Sequence, residues 1–323
     1  LNKITSNKPQ TTCNNNFMHI FFFTLIHSLS ILIIFSMNIN YNNLTFIIVT
    51  FKSENIIENC LETLPKDVQI IIIENSGNYN LKEYLEKKYN NLSVFIEKND
   101  GMGHSNNIGI KYCKTDFAFI LNPDIRFKDD TFENLINSSK LIKDFAIISP
   151  ISSNDKYPNY KIKDSLTKND EIIDVDYIDG FSMLINISKF KDQIFFDKNF
   201  FLYLENDDLC LRIKNKSEKI YILKKSLIDH EGASSSDIKF KEEIEYTRNW
   251  HWMWSKFYFN KKHKGFLIAL FIIMPNLFSG TLKYFFYLLI FNSYKKKIYF
   301  MRISGILNSI LGKKSWYRPN IKY

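Results

Sequence analysis

From residue 44 to residue 149 the chain alternates between short, densely apolar runs and longer amphipathic stretches, joined by brief polar turns. That alternation constrains the fold more than any other feature. The runs 44–49 (LTFIIV), 68–73 (VQIIII), 93–97 (SVFIE), 117–121 (FAFIL) and 146–149 (AIIS) are rich in β-branched and aromatic residues and too short for buried helices. Between them the spacing predicts helices at about 54–64, 80–89, 104–113 and 130–142. In the first, Ile56, Ile57, Cys60, Leu61 and Leu64 share a face, and Ser53 is placed to cap it. Asp130-Thr131-Phe132-Glu133 has capping-box spacing at the start of the last. Such β-α repetition predicts an α/β fold with a mostly parallel central sheet covered on both faces. Ligands of these sheets bind beyond the carboxyl ends of the strands. Thr50, Glu74, the turn after residue 97 and Asp124 all fall at such ends.

Two of those strand ends carry distinctive chemistry. Lys98-Asn99-Asp100-Gly101-Met102-Gly103-His104-Ser105-Asn106-Asn107-Ile108-Gly109 follows the third run, and Leu121-Asn122-Pro123-Asp124 closes the fourth. A turn rich in glycine lets backbone N–H groups approach a phosphate or sugar. An aspartate at a strand end is a natural ligand for a hard cation on a diphosphate. Together they predict a nucleotide-sugar site. Gly101-x-Gly103 with a later acid also imitates a dinucleotide fingerprint, but Asn106 stands in the place of the third glycine and the turn follows the third strand. A dehydrogenase or methyltransferase is therefore disfavoured.

Beyond residue 155 the pattern changes. Residues 155–170 read as a polar, mobile loop, and 177–185 as a strand in which Gly180 permits close approach of a substrate. The segment 200–212 places Glu205, Asp207 and Asp208 directly after an aromatic run. Three acids so close repel unless a cation, a helix N-terminus or a proton relieves them. Asp208 and Arg212 have the spacing of a helical ion pair. A strand-like run at 227–232 contains His230, which gains interest as a partner for Asp124.

The four cysteines are scattered without a CxxC pair, which argues against a disulfide scaffold or a cysteine-rich zinc site. The net charge of +9 is unevenly placed. Residues 246–323 hold 14 Lys and Arg and no acid, so residues 1–245 carry 9 − 14 = −5. The basic clusters flank an apolar stretch at 266–291, a pattern that points to an anionic membrane surface rather than nucleic acid. Pro275-Asn276 and Ser279-Gly280 interrupt that stretch, so two short interfacial or re-entrant helices are expected, with a helical core hairpin as the alternative. Residues 1–40 form an apolar N-terminal extension, either a signal anchor or sequence upstream of a start at Met37. The expected division is thus 1–40, a catalytic domain at 41–245, and a basic, apolar helical extension at 246–323.

Over 44–235 the chain resembles the family-2 glycosyltransferases of the GT-A fold, in particular their rhamnosyltransferase-like branch. Thr50-Phe51-Lys52-Ser53 is similar to the family's first-strand turn, and Glu74-Asn75-Ser76 occupies the place of its Asp-Asn-Ser. Residues 99–109 resemble its N-x-G-x-G-x-x-N-N-x-G run, and Asn122-Pro123-Asp124 its D-x-D. Asp179-Gly180 and Glu205-Asn206-Asp207-Asp208-Leu209 resemble its acceptor-side glycine and E-D-x-D-L block, and Trp316-Tyr317-Arg318-Pro319 a common tail. The resemblance implies inverting transfer of a sugar, such as rhamnose, from a nucleoside diphosphate to a hydroxyl of a glycan or lipid-linked acceptor in cell-surface polysaccharide synthesis. It implies donor binding by Thr50, Glu74, Asn75, Gly101, Asn107, Asn122 and Asp124, with Glu74 on the base or ribose. It implies an acceptor side at Asp179 and Gly180, and Mg²⁺ or Mn²⁺ held by Asp124 and His230. The basic, acid-free tail with its apolar stretch is expected to dock such an enzyme on the cytoplasmic face of the inner membrane. Two departures stand out: Asn122 replaces the first metal-binding acid, and Asn206 replaces the usual base. An amide cannot accept a proton, so the role passes to Glu205, Asp208 or Asp207. Glu205 is favoured, since desolvation beside the aromatic run would raise its pKa. The two asparagines also admit a catalytically inactive nucleotide-sugar-binding homologue or a membrane scaffold.

Overall fold

The computed structural model describes residues 38–154, 158–162, 170–230 and 240–321. The N-terminal apolar run, most of the expected loop at 155–170 and the residues just after His230 lie outside them. Residues 39–323 form one compact unit.

The predicted alternation is present. Strands β1 (Leu44–Thr50), β2 (Gln69–Glu74), β3 (Leu92–Ile96) and β4 (Phe117–Leu121) lie in the order β3-β2-β1-β4 and run parallel. Helices α1 (Ile57–Leu61), α2 (Tyr79–Lys88) and α3 (Met102–Tyr112) connect them. β1 and β4 are buried along their whole length, which explains their unbroken apolar character. The register Thr50↔Glu74↔Ile96 aligns three carboxyl ends in one row.

The rest of the sheet was less legible. β5 (Ile125–Phe127) precedes α4 (Thr131–Ser139), and β6 (Ile147–Ser152) follows it. Then come β7 (Tyr160–Lys161), β8 (Ile172–Asp174), β9 (Tyr177–Ile178) and β10 (Ser182–Asn186). The expected strand at 177–185 is thus split around Asp179–Phe181. After α5 (Glu205–Asn215), the long β11 (Ile220–His230) completes a nine-stranded mixed sheet, and β7 and β9 make a small second one. β3, β2, β1, β4, β6 and β11 point one way; β10, β5 and β8 point the other. Reversal at β10 brings Asn186 opposite Phe117 and Ser182 opposite Leu121, so its N-terminal end meets the ligand edge.

Two local expectations fail. The first helix is little more than a single turn and has no side-chain cap; Ser53 Oγ accepts from Phe51 N–H at 3.2 Å. Asp130 precedes α4 without a side-chain cap, while Thr131 Oγ1 accepts from Lys128 N–H at 2.7 Å.

The C-terminal segment holds α6 (Lys241–Lys264), α7 (Phe266–Leu289) and α8 (Ser293–Ile310). α6 begins before the expected boundary at 246. Met253 and Phe257 of α6 bury against Ile273 of α7 and Ile306 of α8. At Gly305 a Cβ would stand 2.2 Å from the Trp250 carbonyl oxygen, so α8 approaches α6 at a distance that only glycine permits. The expectation of two helices at 266–291 is corrected: α7 is continuous, with Pro275 inside it. One face carries Ala269, Ile273 and Gly280 into the bundle, and this contact holds both halves on one axis despite the hydrogen bond that proline removes. By length and composition α7 could cross a membrane. Phe271, Phe278 and Leu289 on its other side are 79%, 67% and 76% exposed.

Candidate active site

The glycine turn is packed closely against a distant part of the chain. Gly101 has φ +113°, and a Cβ there would stand 2.6 Å from both Cα and the carbonyl oxygen of Phe201. Met102 N–H donates to that same carbonyl at 3.0 Å. Asn107, expected on the donor, makes a two-bond clamp instead: Nδ2 donates to Phe196 O (2.8 Å) and Oδ1 accepts from Phe196 N–H (3.0 Å). The start of α3 is therefore a seat for the segment 196–204. The tail reinforces it: the Arg318 guanidinium lies 3.9 Å from the Phe201 ring centre and 3.7 Å from Asp100 Oδ1.

Seated there, the chain makes a strained turn. Tyr203 and Leu204 adopt φ of 70° and 66°, a left-handed conformation uncommon for side-chain-bearing residues in succession. The turn aims the first residues of α5 into a cavity of about 410 Å³ that Glu205, Asn206, Asp207, Asp179, Gly180 and Asn122 help to line. A smaller cavity of about 150 Å³ adjoins it at Met102 and Leu202 and reaches Asn75, Asn99 and Pro123.

Glu205 is 8% exposed, and its Oε2 has no hydrogen-bond partner among the described residues. Burial pushes its carboxyl up to about 7, with the charge of Asp207 adding to the rise. Asp207 rises to about 6, again chiefly through burial; Lys161 opposes the rise and Asp179 adds to it. Asp208 differs. Fully buried, it does not line the cavity; Arg212 Nε (2.9 Å), Lys262 Nζ (2.6 Å) and His263 Nε2 (2.8 Å) surround it. Its expected place among the proton acceptors is corrected: it ties α5 to α6. Asn206 donates to Tyr177 Oη and to the Ile178 carbonyl, both at 3.0 Å. A carboxylate there would face a carbonyl oxygen with nothing to give it, which explains the amide. Tyr177 in turn donates to Asp179 Oδ1 at 2.7 Å, and burial with the nearby acids holds its phenol well above the usual range.

At the expected donor edge, Thr50 ends β1 with a buried hydroxyl that has no partner among the described residues. Glu74, expected on the base or ribose, is buried at the end of β2. Its oxygens accept from Ser76 N–H and Asn78 N–H, both at 2.8 Å, and shape the loop from within. Asn75 lines the smaller cavity instead, held by Ser105 Oγ at 2.6 Å and by the Glu97 carbonyl at 3.2 Å. Asp124 is buried, with His230 Nε2 3.6 Å from its Oδ2 and the imidazole stacked on Phe181. The expected pair is thus together, although among the described residues no group of three or more metal-ligating side chains is gathered.

Several lining residues escaped the sequence reading. Asn106, not Asn107, faces the larger cavity, and its Oδ1 is buried without a partner among the described residues. Arg248 and Trp252 come from α6, in a segment read only as basic and apolar. The repeated tryptophans at 250, 252 and 254 were the available signal.

Residues 45–205 match the sequence profile described as glycosyl transferase family 2. The rhamnosyltransferase WbbL of Escherichia coli (strain K12) is 30% identical over 201 residues, covering 52% of this chain and 75% of that protein. The low-salt glycan biosynthesis hexosyltransferase Agl10 of Haloferax volcanii is 24% identical over 203 residues, covering 55% of this chain and 64% of that protein. Among solved structures, the mannosyltransferase PcManGT from Pyrobaculum calidifontis, in complex with GDP-Man and Mn²⁺, superposes with a TM-score of 0.51. It is 11% identical, with 92% of this chain and 97% of that one covered, so the likeness speaks for the fold alone. The fold is GT-A-like.

The raised pKa of Glu205 has a consequence for stability. An unfolded glutamate ionises near 4.5 and the folded one near 7, so the folded chain binds the extra proton between those values. Stability therefore falls as pH rises from about 4.5 to about 7 and stays lower above. Glu205→Gln, which keeps the shape without the charge, should raise chemical stability at pH 8 by about 1–3 kcal/mol and change it little at pH 4.5. Urea unfolding at both values checks this; an equal effect at the two would contradict the burial argument.

Proposed function

This chain belongs to glycosyl transferase family 2, and from that premise we propose that it is an inverting transferase that moves a hexose-type sugar, such as rhamnose, from a nucleoside diphosphate to a hydroxyl of a glycan or lipid-linked acceptor. One observation carries the reading. A carboxylate with an unsatisfied oxygen and a pKa near 7 stands in a cavity beside the expected donor edge. Such a group is charged often enough at neutral pH to accept a proton and basic enough to take it. Glu205 takes the proton of the acceptor hydroxyl as its oxygen bonds to the anomeric carbon. The bond from that carbon to the diphosphate oxygen breaks on the opposite face. Asp207 keeps the local potential negative, which holds the Glu205 proton affinity high.

Asp124 and His230 are the residues that would hold a divalent cation, Mg²⁺ or Mn²⁺, whose charge would neutralise that developing on the leaving diphosphate. One carboxylate and one imidazole are a sparse set, suited to an ion that takes its other ligands from diphosphate oxygens and water. The inactive-homologue reading rests on Asn122 and Asn206; the Asn206 amide has its own structural reason, and Glu205 remains available.

The acceptor is presented at the cytoplasmic face of the inner membrane, in cell-surface polysaccharide synthesis. α7 is long enough to span, but it is fixed along one side to α6 and α8, which carry Lys256, Lys261, Lys262, Lys295, Lys296, Lys297 and Arg302. Dragging those charges through hydrocarbon is prohibitive. The exposed apolar side of α7 lies in the interface instead, with the lysines on the anionic headgroups.

With a transferable donor, Glu205→Gln should keep nucleoside diphosphate affinity and lose transfer by about 10²–10⁴-fold, whereas Asp207→Asn should lose far less. The reverse ranking would move the base to Asp207. For the membrane, vesicles containing anionic phosphatidylglycerol should sediment the wild-type chain in salt that screens surface charge. The pair Phe271→Glu and Phe278→Glu should weaken that binding without altering nucleotide binding; an unchanged sedimentation would refute the docking face.

A further inference from the structure

Next to the catalytic cavity lies a shallow cleft of about 310 Å³, lined by Tyr203, Glu245, Arg248, Asn249 and Trp252. Tyr203 and Trp252 also line the catalytic cavity, so the two spaces share an aromatic wall. We propose that this cleft is a second sugar subsite on the acceptor side, and that the preferred acceptor is a glycan of two or more residues. The inference rests on the catalytic reading of the Glu205 cavity.

Trp252 is the first reason. Its neighbours Trp250 and Trp254 on α6 are 0% and 3% exposed and pack the helical bundle, whereas Trp252 is 40% exposed. It is not needed to hold the helices together. Its indole meets Tyr203 edge-on, with ring centres 5.3 Å apart and planes at 88°. That leaves broad aromatic faces partly wet, in the arrangement that suits a ligand with one apolar and one polar side. A pyranose ring is such a ligand: axial C–H groups make one face apolar, and hydroxyls surround it. The left-handed backbone at Tyr203 holds its ring at this wall, one residue of turn before Glu205.

Arg248 is the second reason. It stands one turn before Trp252 on the same side of α6, and no hydrogen bond or ion pair among the described residues engages its guanidinium. Five planar donors beside an aromatic wall are suited to ring and hydroxyl oxygens. The polar rim is already ordered around it. Asn249 Nδ2 donates to Glu245 Oε1 at 2.8 Å, and Arg302 Nη1 donates to Asn249 Oδ1 at 3.1 Å. A sugar entering here would meet fixed partners rather than having to organise them.

The geometry also sets the order of residues along an acceptor. The reacting hydroxyl must reach Glu205 in the larger cavity. The next sugar then passes the Tyr203–Trp252 wall into the cleft.

The test is a glycan array that carries matched mono-, di- and trisaccharides on short alkyl linkers. It is probed with the full chain in the presence of a nucleoside diphosphate. Wild type should retain some disaccharides about tenfold better than their terminal monosaccharides, the scale of one stacking contact. Trp252→Ala should erase that advantage, and Trp252→Phe should restore part of it. A wild-type profile independent of chain length, or one that Trp252→Ala leaves intact, overturns the subsite. So does wild type that is retained by the bare alkyl linker as well as by any sugar, since the cleft would then hold the lipid. Thermal stabilisation by the nucleoside diphosphate is read in parallel on the same samples. UDP, GDP and dTDP are each tried: stabilisation of wild type by none of them would count against the nucleotide site on which the catalytic reading rests, and its persistence in Trp252→Ala shows an intact donor site.

Discussion

The active site depends on one backbone contact. The carbonyl of Phe201 sits on the glycine turn, close enough that a methyl group on Gly101 would occupy the same space, and Met102 N–H fixes it there. The Asn107–Phe196 clamp holds the other end of the segment. With both ends fixed, the chain between has little choice. It passes through Tyr203 and Leu204 in a left-handed turn and starts α5 with Glu205 pointing into the cavity. The strain is local and of order 1–3 kcal/mol per residue. The burial that raises the Glu205 pKa is thus a product of how two parts of the chain, a hundred residues apart, lock together.

The same segment is held from the other side by the helical bundle. Ser255 Oγ donates to the Leu202 carbonyl at 2.9 Å, and Tyr258 Oη donates to Asp197 at 3.1 Å. Asp208 collects Lys262 and His263 from the end of α6. A buried carboxylate with that many cations and donors is costly to strip of partners, so the α5–α6 junction resists opening. The C-terminal helices therefore belong to the site as much as to any membrane surface. This unites two features that looked separate, the acid block after the aromatic run and the acid-free tail.

How much was legible follows from the range of each signal. Strands β1 and β4 are buried along their whole length and β2 along all but its first residue, so they announce themselves as continuous apolar runs; β3, at the sheet edge, is half-buried, and together their ends place the ligand edge. β10 and β11 were only partly seen, because their pairing is with strands distant in sequence and their flanks carry polar residues. Within the glycine run the reading located the motif but not its orientation. One residue along a helix is a turn of about 100°, which is why Asn107 grips the backbone while Asn106 faces the cavity. Glu74 was placed at the right strand end, yet its carboxylate is satisfied within its own loop, a local competition that spacing cannot reveal. Pro275 suggested a break in α7, but packing on two neighbouring helices overrides the propensity of one residue.

The glutamate at the start of α5 carries the whole account, because its environment and its proposed role are the same physical fact. Carbon-13 labelling of glutamate side chains, with the Glu205 carboxyl signal assigned by its loss in Glu205→Gln, allows its titration to be followed directly in the folded chain. The expected midpoint is near 7, set by burial. A midpoint near the ordinary value of 4.5 would mean a solvated carboxylate, and the cavity would then hold no base poised for transfer.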